Sequence, residues 1–359
     1  MAVNIKDKTT GGVMSIVEAI QKKGGAKSAF SAGSLKNGDD MYDEIERLPS
    51  GVFAVDYATG GGFPKGKISI IYGPEASGKT NLSFNAINQA QIEEPGKYQV
   101  FVDIENHFDP QWTAHMVHDM DRLIVVKVES AEDVINKVEA TMVAHDVNCV
   151  VVDSLAMMVA QNELESDASK SQVGGSSALI GKLFRKVTAR LSQLANQDQY
   201  PTVIFINQIR MKIGVMFGNP ETMPGGNAPK FMSALSLRVY GKDLDSGKEG
   251  MIHFRQTNLV VKKKKVPTLL HSAEYVTCVA KKEGNPLKPG EIDDWNLVLA
   301  TLKDFGMVVK DPKNGWVLMG EAGYKTLGDI KAAVTEDPAK YTKIKSKLIQ
   351  MAKAHHASL

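Results

Sequence analysis

Short, strand-sized apolar runs recur through the middle of the chain, at Lys67 to Tyr72, Gln99 to Asp103, Leu123 to Val128, Asn148 to Asp153, Thr202 to Asn207 and Ser236 to Tyr240. Helix-like stretches separate several of them, namely Asn81 to Gln91, Ala131 to Ala144 and Ser177 to Asn196. Strands alternating with helices predict βαβ units, and so an α/β fold with a doubly wound, mainly parallel sheet. Ligands of such a sheet sit at the carboxyl ends of its strands.

The flanks have a different texture. Ile16, Val17 and Ile20 recur at helical spacing within Met14 to Lys23, and Gly24 and Gly25 end the pattern, which predicts a short amphipathic arm. Ala26 to Asp43 is rich in Ser, Gly, Lys and Asp, as a linker is. Beyond Lys281 the run Glu283-Gly284-Asn285-Pro286 punctuates the pattern, and a helix-rich segment with one hairpin near Asn314-Gly315 follows. The expected organisation is an arm and linker over 1–40, a core over 41–282 and a small C-terminal α/β domain over 283–359.

Composition narrows the class. Of 359 residues 43% are hydrophobic and 23% charged, the balance of a globular chain. No apolar run approaches the roughly 20 residues of a membrane helix. The polar start, Met1 to Gly12, has no secretory pattern, so a cytoplasmic location and no membrane partner are expected. The two cysteines, Cys149 and Cys278, lie in apolar runs and offer neither a disulfide framework nor a zinc cluster. A net charge of +2 is too small to argue for nucleic acid, so any such argument must be local.

The strongest local signal is Gly73-Pro74-Glu75-Ala76-Ser77-Gly78-Lys79-Thr80, which fits GxxxxGK[ST] directly between a predicted strand and a predicted helix. Its glycines let backbone N–H groups face phosphate oxygens, Lys79 supplies a cation, and Thr80 is placed to coordinate Mg²⁺. The expected cofactors are ATP and Mg²⁺. Asp153 ends an apolar strand and is the candidate second metal carboxylate. Glu105, just past the strand ending at Asp103, is the candidate base that orients the attacking water.

Arg210 to Asn227 is too long and glycine-rich for a turn, yet it carries Met211, Ile213, Val215, Met216 and Phe217. Arg210 and Lys212 suit phosphates, Gly214, Gly225 and Gly226 allow close backbone approach, and Ile213 or Phe217 suits wedging between unstacked bases. The competing reading is a loop packed on its own core. Lys262-Lys263-Lys264-Lys265 reads three ways: a solvated edge, a DNA patch, or charges for a neighbouring protomer's phosphates.

Taken together these residues resemble the bacterial RecA recombinases. Gly60-Gly61-Gly62-Phe63-Pro64-Lys65-Gly66 running into Tyr72-Gly73-Pro74-Glu75 is similar to that family's entry to its P-loop, and Phe101-Val102-Asp103-Ile104-Glu105 to the segment with its catalytic glutamate. Ile206 to Thr222, followed by Gly225-Gly226-Asn227-Ala228, resembles its second DNA-binding loop, and the likeness covers roughly 45 to 280.

The resemblance implies several further roles. Asp109 and Trp112 hold the adenine, Trp112 standing where the family commonly has Tyr. Gln208 senses the γ-phosphate, Arg185 touches DNA, and Lys262 and Lys264 reach a neighbour's triphosphate. It also implies a filament on single-stranded DNA, assembled through the amino-terminal arm, that pairs with homologous duplex and exchanges strands with DNA-stimulated ATP hydrolysis. Single-strand-binding and loader proteins, or a self-cleaving repressor, are the further partners. A ring-forming helicase and a filament acting chiefly as a co-protease scaffold are the alternatives.

Departures from the family pattern are Asn106 in place of the usual His, Ala280-Lys281 in place of an aromatic-glycine pair, and a first DNA loop, Glu163 to Gly174, of unfamiliar sequence. Lys340, Lys343, Lys345, Lys347 and Lys353 stand where many members have an acidic tail. They mark a divergent member, phage origin being one reading.

Overall fold

The computed structural model describes residues 16–22, 45–165, 175–211, 221–245, 252–281 and 287–357. Residues 16–22 are helical, inside the predicted arm. The linker, the proposed boundary at residue 40 and the Glu283 to Pro286 punctuation lie outside the described residues.

The main sheet has nine strands: β1 (Ile68–Gly73), β2 (Tyr98–Asp103), β3 (Leu123–Lys127), β4 (Val147–Asp153), β5 (Thr202–Gln208), β6 (Leu235–Asp245), β7 (Ile252–Lys264), β8 (Ser272–Cys278) and β9 (Ile292–Asp293). Their spatial order is β9-β8-β7-β6-β1-β5-β4-β2-β3. From β6 to β3 every neighbouring pair is parallel, and β7, β8 and β9 add antiparallel pairing at one edge. The sheet class is therefore the predicted one. Strand β6 runs five residues past the predicted end at Tyr240, because β7 pairs with it as far as Asp245.

The parallel strands are continuous apolar runs because both their faces are covered. Alternation assigns Ile71, Val151, Ile204 and Ile206 to one core, and Ile70, Val150, Val152 and Phe205 to the other. Helix α2 (Lys79–Glu93) contributes Leu82, Ala86, Ile87 and Ala90 to the first core. Helices α3 (Ala131–Val143) and α4 (Gly175–Ala195) close the second with residues spaced three and four apart, among them Val134, Val138, Leu183, Val187 and Leu191. Ser130 caps α3 by accepting from Asp133 N–H at 3.2 Å.

The C-terminal segment builds its own core from helices α5 (Trp295–Asp304), α6 (Leu327–Thr335) and α7 (Pro338–Ala357) and a three-stranded antiparallel sheet over Val308–Asp311, Gly315–Leu318 and Glu321–Tyr324. The first two of those strands form the hairpin expected near Asn314-Gly315. Phe53, on helix α1 (Phe53–Thr59) of the main core, is fully buried in that cluster beside Val298, Leu302 and Leu348. Asp294 ties the segment to itself, accepting from the Tyr341 hydroxyl and from Lys345 Nζ at 3.3 Å.

Candidate active site

Strand β1 delivers Gly73 to the carboxyl edge of the sheet, where a side chain has no room. A Cβ there would lie 1.9 Å from the carbonyl oxygen of Val239 on β6. The loop turns through left-handed backbone at Ala76 (φ 53) and Gly78 (φ 88), and a Cβ at Gly78 would sit 3.0 Å from Thr257 Oγ1 on β7. The P-loop is thus seated on strands far away in sequence. Lys79 is buried, its Nζ donating to Pro74 O at 2.5 Å and approaching Ser77 Oγ at 3.5 Å. Burial holds its pKa below the usual lysine value, opposed by Asp153, Glu105 and Glu75. Such an ammonium binds a polyphosphate oxygen better than a neutral carbonyl.

Register aligns four strand ends at this edge: Gly73 pairs with Gln208, and Asp103 with Asp153. Thr80 Oγ1 donates to Asp153 Oδ2 at 2.6 Å. Burial pushes the Asp153 carboxyl up to about 7, with the Thr80 hydrogen bond and Lys79 opposing, and Glu105 and Asp103 adding to the rise. A buried carboxylate touching a hydroxyl, both hard oxygen donors, fits Mg²⁺ held partly by water and phosphate. Asp103 does different work, accepting from the backbone N–H groups of His107 and Phe108 at 3.2 and 3.1 Å and so turning the chain after β2.

That turn presents Glu105. Its Oε1 accepts from the Ser154 hydroxyl and from Gln208 Nε2, the latter at 2.8 Å. Its Oε2 lies 3.7 Å from Nδ1 of the exposed His107. Asn106 has φ 54, a left-handed conformation that Asn tolerates, which gives a physical reason for Asn at this position. Next to Gln208, Ile209 N–H donates to Gly73 O at 3.2 Å, so the segment leaving β5 is bonded to the P-loop strand as well.

The family described as the RecA N-terminal domain matches residues 13–281, three quarters of the chain. Protein RecA of Bacteroides thetaiotaomicron is 35% identical over 280 residues, which cover 77% of this chain and 81% of that protein. Protein RecA of Acholeplasma laidlawii is 37% identical, covering 67% and 71%, and that of Mesomycoplasma hyopneumoniae 38%, covering 69% and 71%. The chain belongs to the RecA family.

In this RecA-family chain Asp109 caps the short helix Pro110–Thr113, its Oδ1 accepting from Gln111 and Trp112 N–H. Trp112 Nε1 donates to Asn81 Oδ1 at 3.0 Å, which fixes the indole beside the first turn of α2. Trp112 is therefore brought beside the helix that follows the P-loop, and Asp109 holds the turn that carries it.

The described ends of the long loop form a ribbon, Arg210–Met211 pairing antiparallel with Glu221–Thr222. Both Arg210 and Met211 are exposed, and Arg210 Nη2 also donates to Ala156 O at 3.2 Å. Lys212, Ile213, Gly214 and Phe217 lie outside the described residues. Glu221 is held by Arg238 of β6 through two hydrogen bonds, and Arg238 lies 5.2 Å over the Tyr240 ring. Gly225 (φ 95) is wedged in place, since a Cβ would lie 2.6 Å from Ile180 of α4, whereas Gly226 has open space. Asn227 precedes the helix Ala228–Met232, and Arg185 is exposed on α4.

The lysine run divides by parity. Lys263 and Lys265 turn back onto the helix Ala228–Met232, donating to the carbonyls of Lys230 and Phe231. Lys262 and Lys264 are exposed. Leu235 of β6 pairs with both Ser69 of β1 and Lys264 of β7, so Lys264 lies toward the amino end of the P-loop strand, with Lys262 at the bulge opposite Ser236 and Leu237. They do not join the protomer's own P-loop. Lys79, Thr80, Glu105, Asp153 and Gln208 do come together.

Two contributors escape sequence reasoning. Ser154 is fully buried against Glu105, and the only signal for it was a hydroxyl following the strand-ending Asp153. Asn207 is fully buried at the end of β5, its Oδ1 accepting from Gln208 N–H and its Nδ2 donating to Pro224 O at 3.1 Å. One side chain thereby holds both stems of the loop. Its signal was an amide at the end of an otherwise apolar run.

Proposed function

We propose that the chain is an ATP-dependent recombination and repair protein that assembles as a filament on single-stranded DNA. The filament pairs that strand with homologous duplex and exchanges strands, hydrolysing ATP faster when DNA is bound. Lys79 and the P-loop N–H groups hold the triphosphate, Thr80 with Asp153 holds Mg²⁺, and Asp109 and Trp112 take the base. Bound there, Mg²⁺ supplies charge to the β- and γ-phosphate oxygens. Glu105 orients and deprotonates water through Oε2.

The observation that carries this reading is the 2.8 Å hydrogen bond from Gln208 to Glu105. Gln208 is the last residue of β5 and leads directly into the loop assigned to DNA. A group at the γ-phosphate position and the root of the loop are thus one side chain apart. A change in either displaces the other. In this reading Arg185, Arg210, Met211, Lys212, Ile213, Gly214, Phe217, Gly225, Gly226 and Asn227 meet the strand, and Lys262 and Lys264 serve the next protomer's triphosphate. Residues 1–40 supply the protomer contact.

ATP turnover measured with and without single-stranded DNA, with electron micrographs of the product and a strand-exchange assay, tests the reading. Stimulated turnover, extended filaments and exchanged strands are expected. Turnover indifferent to DNA, or closed rings on it, would overturn it.

A further inference from the structure

Two donors converge on one oxygen of Glu105, and they differ in kind. Ser154 is fully buried, stands on the residue after β4 and has a single side-chain torsion. Gln208 is half-buried, has three torsions and belongs to the segment that becomes the long loop. Oε1 has two lone-pair directions, and the Ser154 and Gln208 donors use both. Oε2 is left with the ring of the exposed His107 at 3.7 Å.

We infer that Ser154 is the permanent positioning residue of Glu105, staying bonded when Gln208 takes the γ-phosphate-sensing role proposed for it above. This rests on the reading of Glu105 as the base. When Gln208 turns toward a phosphate, the carboxylate would otherwise be free to rotate about its own torsions. The Ser154 hydroxyl keeps Oε1 in place and so keeps Oε2 aimed at the water. No other hydrogen-bond donor to Glu105 is present among the described residues, and without the carboxylate the hydroxyl would be buried and unpaired, which disfavours separation of the pair. Ser154 takes no proton from the reaction. Its contribution is geometric.

The two donors therefore have separable effects. Losing Ser154 loosens the base whether or not DNA is bound, so basal and DNA-stimulated kcat fall by the same factor, about 10- to 100-fold for a displaced catalytic group. KM and the stimulation ratio stay as they were. Losing Gln208, which belongs both to the site and to the root of the loop, lowers the stimulation ratio as well as the rate.

The test uses the full chain with Ser154→Ala, Ser154→Thr and Gln208→Ala, each assayed for ATP turnover across ATP concentration with and without single-stranded DNA. Binding of a fluorescent ATP analogue and circular dichroism report whether the site and fold persist. Ser154→Ala is expected to bind the analogue like the unaltered chain and lose kcat equally in both conditions. Ser154→Thr, which keeps a hydroxyl, is expected to recover most of it. Unchanged kcat in a folded Ser154→Ala protein overturns the inference, as does loss confined to the stimulated rate. A Thr variant that folds and binds but stays as slow as Ala also overturns it. Absence of turnover in the unaltered chain would instead overturn the ATPase reading itself, and this inference with it.

Discussion

Thr80 and Asp153, 73 residues apart in the chain, are joined by a hydrogen bond of 2.6 Å across the carboxyl edge of the sheet. The contact exists because the helix leaving the P-loop starts beside β4, two strands away in the sheet. If the pair holds Mg²⁺, Thr80→Val keeps the volume and removes one oxygen donor. The expected result is ATP binding about 10-fold or more weaker in Mg²⁺, for loss of an interaction with a charged centre. Binding in a chelator should be unchanged. An identical Mg²⁺ dependence in both proteins would remove Thr80 from the metal site.

Gly73 tests how the P-loop is seated. A Cβ at this position would be 1.9 Å from Val239 O, a backbone atom that cannot swing away. Gly73→Ala should cost about 3 kcal/mol or more, at the upper end of overpacking effects, and should weaken nucleotide binding together with stability. Urea unfolding read alongside ATP binding checks both. Full stability would mean that β6 does not press against the P-loop strand.

The core elements and the centre of the site were legible because their signals are local. The P-loop announces itself in eight consecutive residues, and each buried parallel strand is a continuous apolar run. Val239, Thr257 and Arg238 were not legible as parts of the site, since they reach it through the registers of β6 and β7 against β1. Ser154 and Asn207 are single polar residues whose partners lie on other segments. Phe53 belongs by sequence to the core's entry segment but is buried in the C-terminal cluster, which no periodicity in its own helix reveals. The split of the four lysines follows strand alternation, yet only the helix Ala228–Met232 shows which pair is tied down.

Asp56 gives the stability of the chain a pH dependence. Burial pushes its carboxyl from the ordinary 3.8 up to about 7, Ser50 and Lys345 opposing and Asp294 adding to the rise. Between those values the folded chain holds a proton that the unfolded chain has lost, so stability falls as pH rises from about 4 to about 7 and stays lower above it. Asp56→Asn keeps an oxygen to accept from Ser50 N–H, a 2.7 Å bond in the native protein, and cannot ionise. The variant should melt about 2 °C or more above the unaltered chain at pH 8. At pH 5 the gap should shrink. Parallel melting curves across that range would show that Asp56 titrates normally.

Arg238 anchors the returning stem of the loop through Glu221, and its charge is already neutralised there. Arg238→Met should weaken DNA binding by freeing the ribbon, with ATP binding by the monomer unaltered. The slope of log affinity against log salt should not change, because no phosphate contact is lost. Direct contact with a phosphate would lower that slope by about 0.7 for a single strand. A titration at several salt concentrations separates the two.

Lys262 and Lys264 provide the test that reaches beyond one protomer. Lys264 pairs with Leu235, which pairs with Ser69, whereas the P-loop begins at Gly73. For Lys264 that offset is about 13 Å along the strand, further than a lysine side chain extends toward its own triphosphate, and Lys262 lies nearer, opposite the bulge at Ser236 and Leu237. If they serve the neighbour's, changing both to Ala leaves the monomer's ATP binding intact, because Lys79, Thr80 and Asp153 come from one chain. Cooperative assembly and DNA-stimulated hydrolysis should be lost together, since the γ-phosphate then lacks the cations supplied in trans. Mixing that protein with Glu105→Gln protein sharpens the test. One interface in the mixture joins the double variant's intact Glu105 and P-loop to the partner's intact lysines, and that interface is catalytically complete. Mixed filaments should regain part of the stimulated turnover that neither protein shows alone. Proven co-assembly with no recovery would assign the two lysines to DNA or to the local fold, and would leave the triphosphate to its own chain.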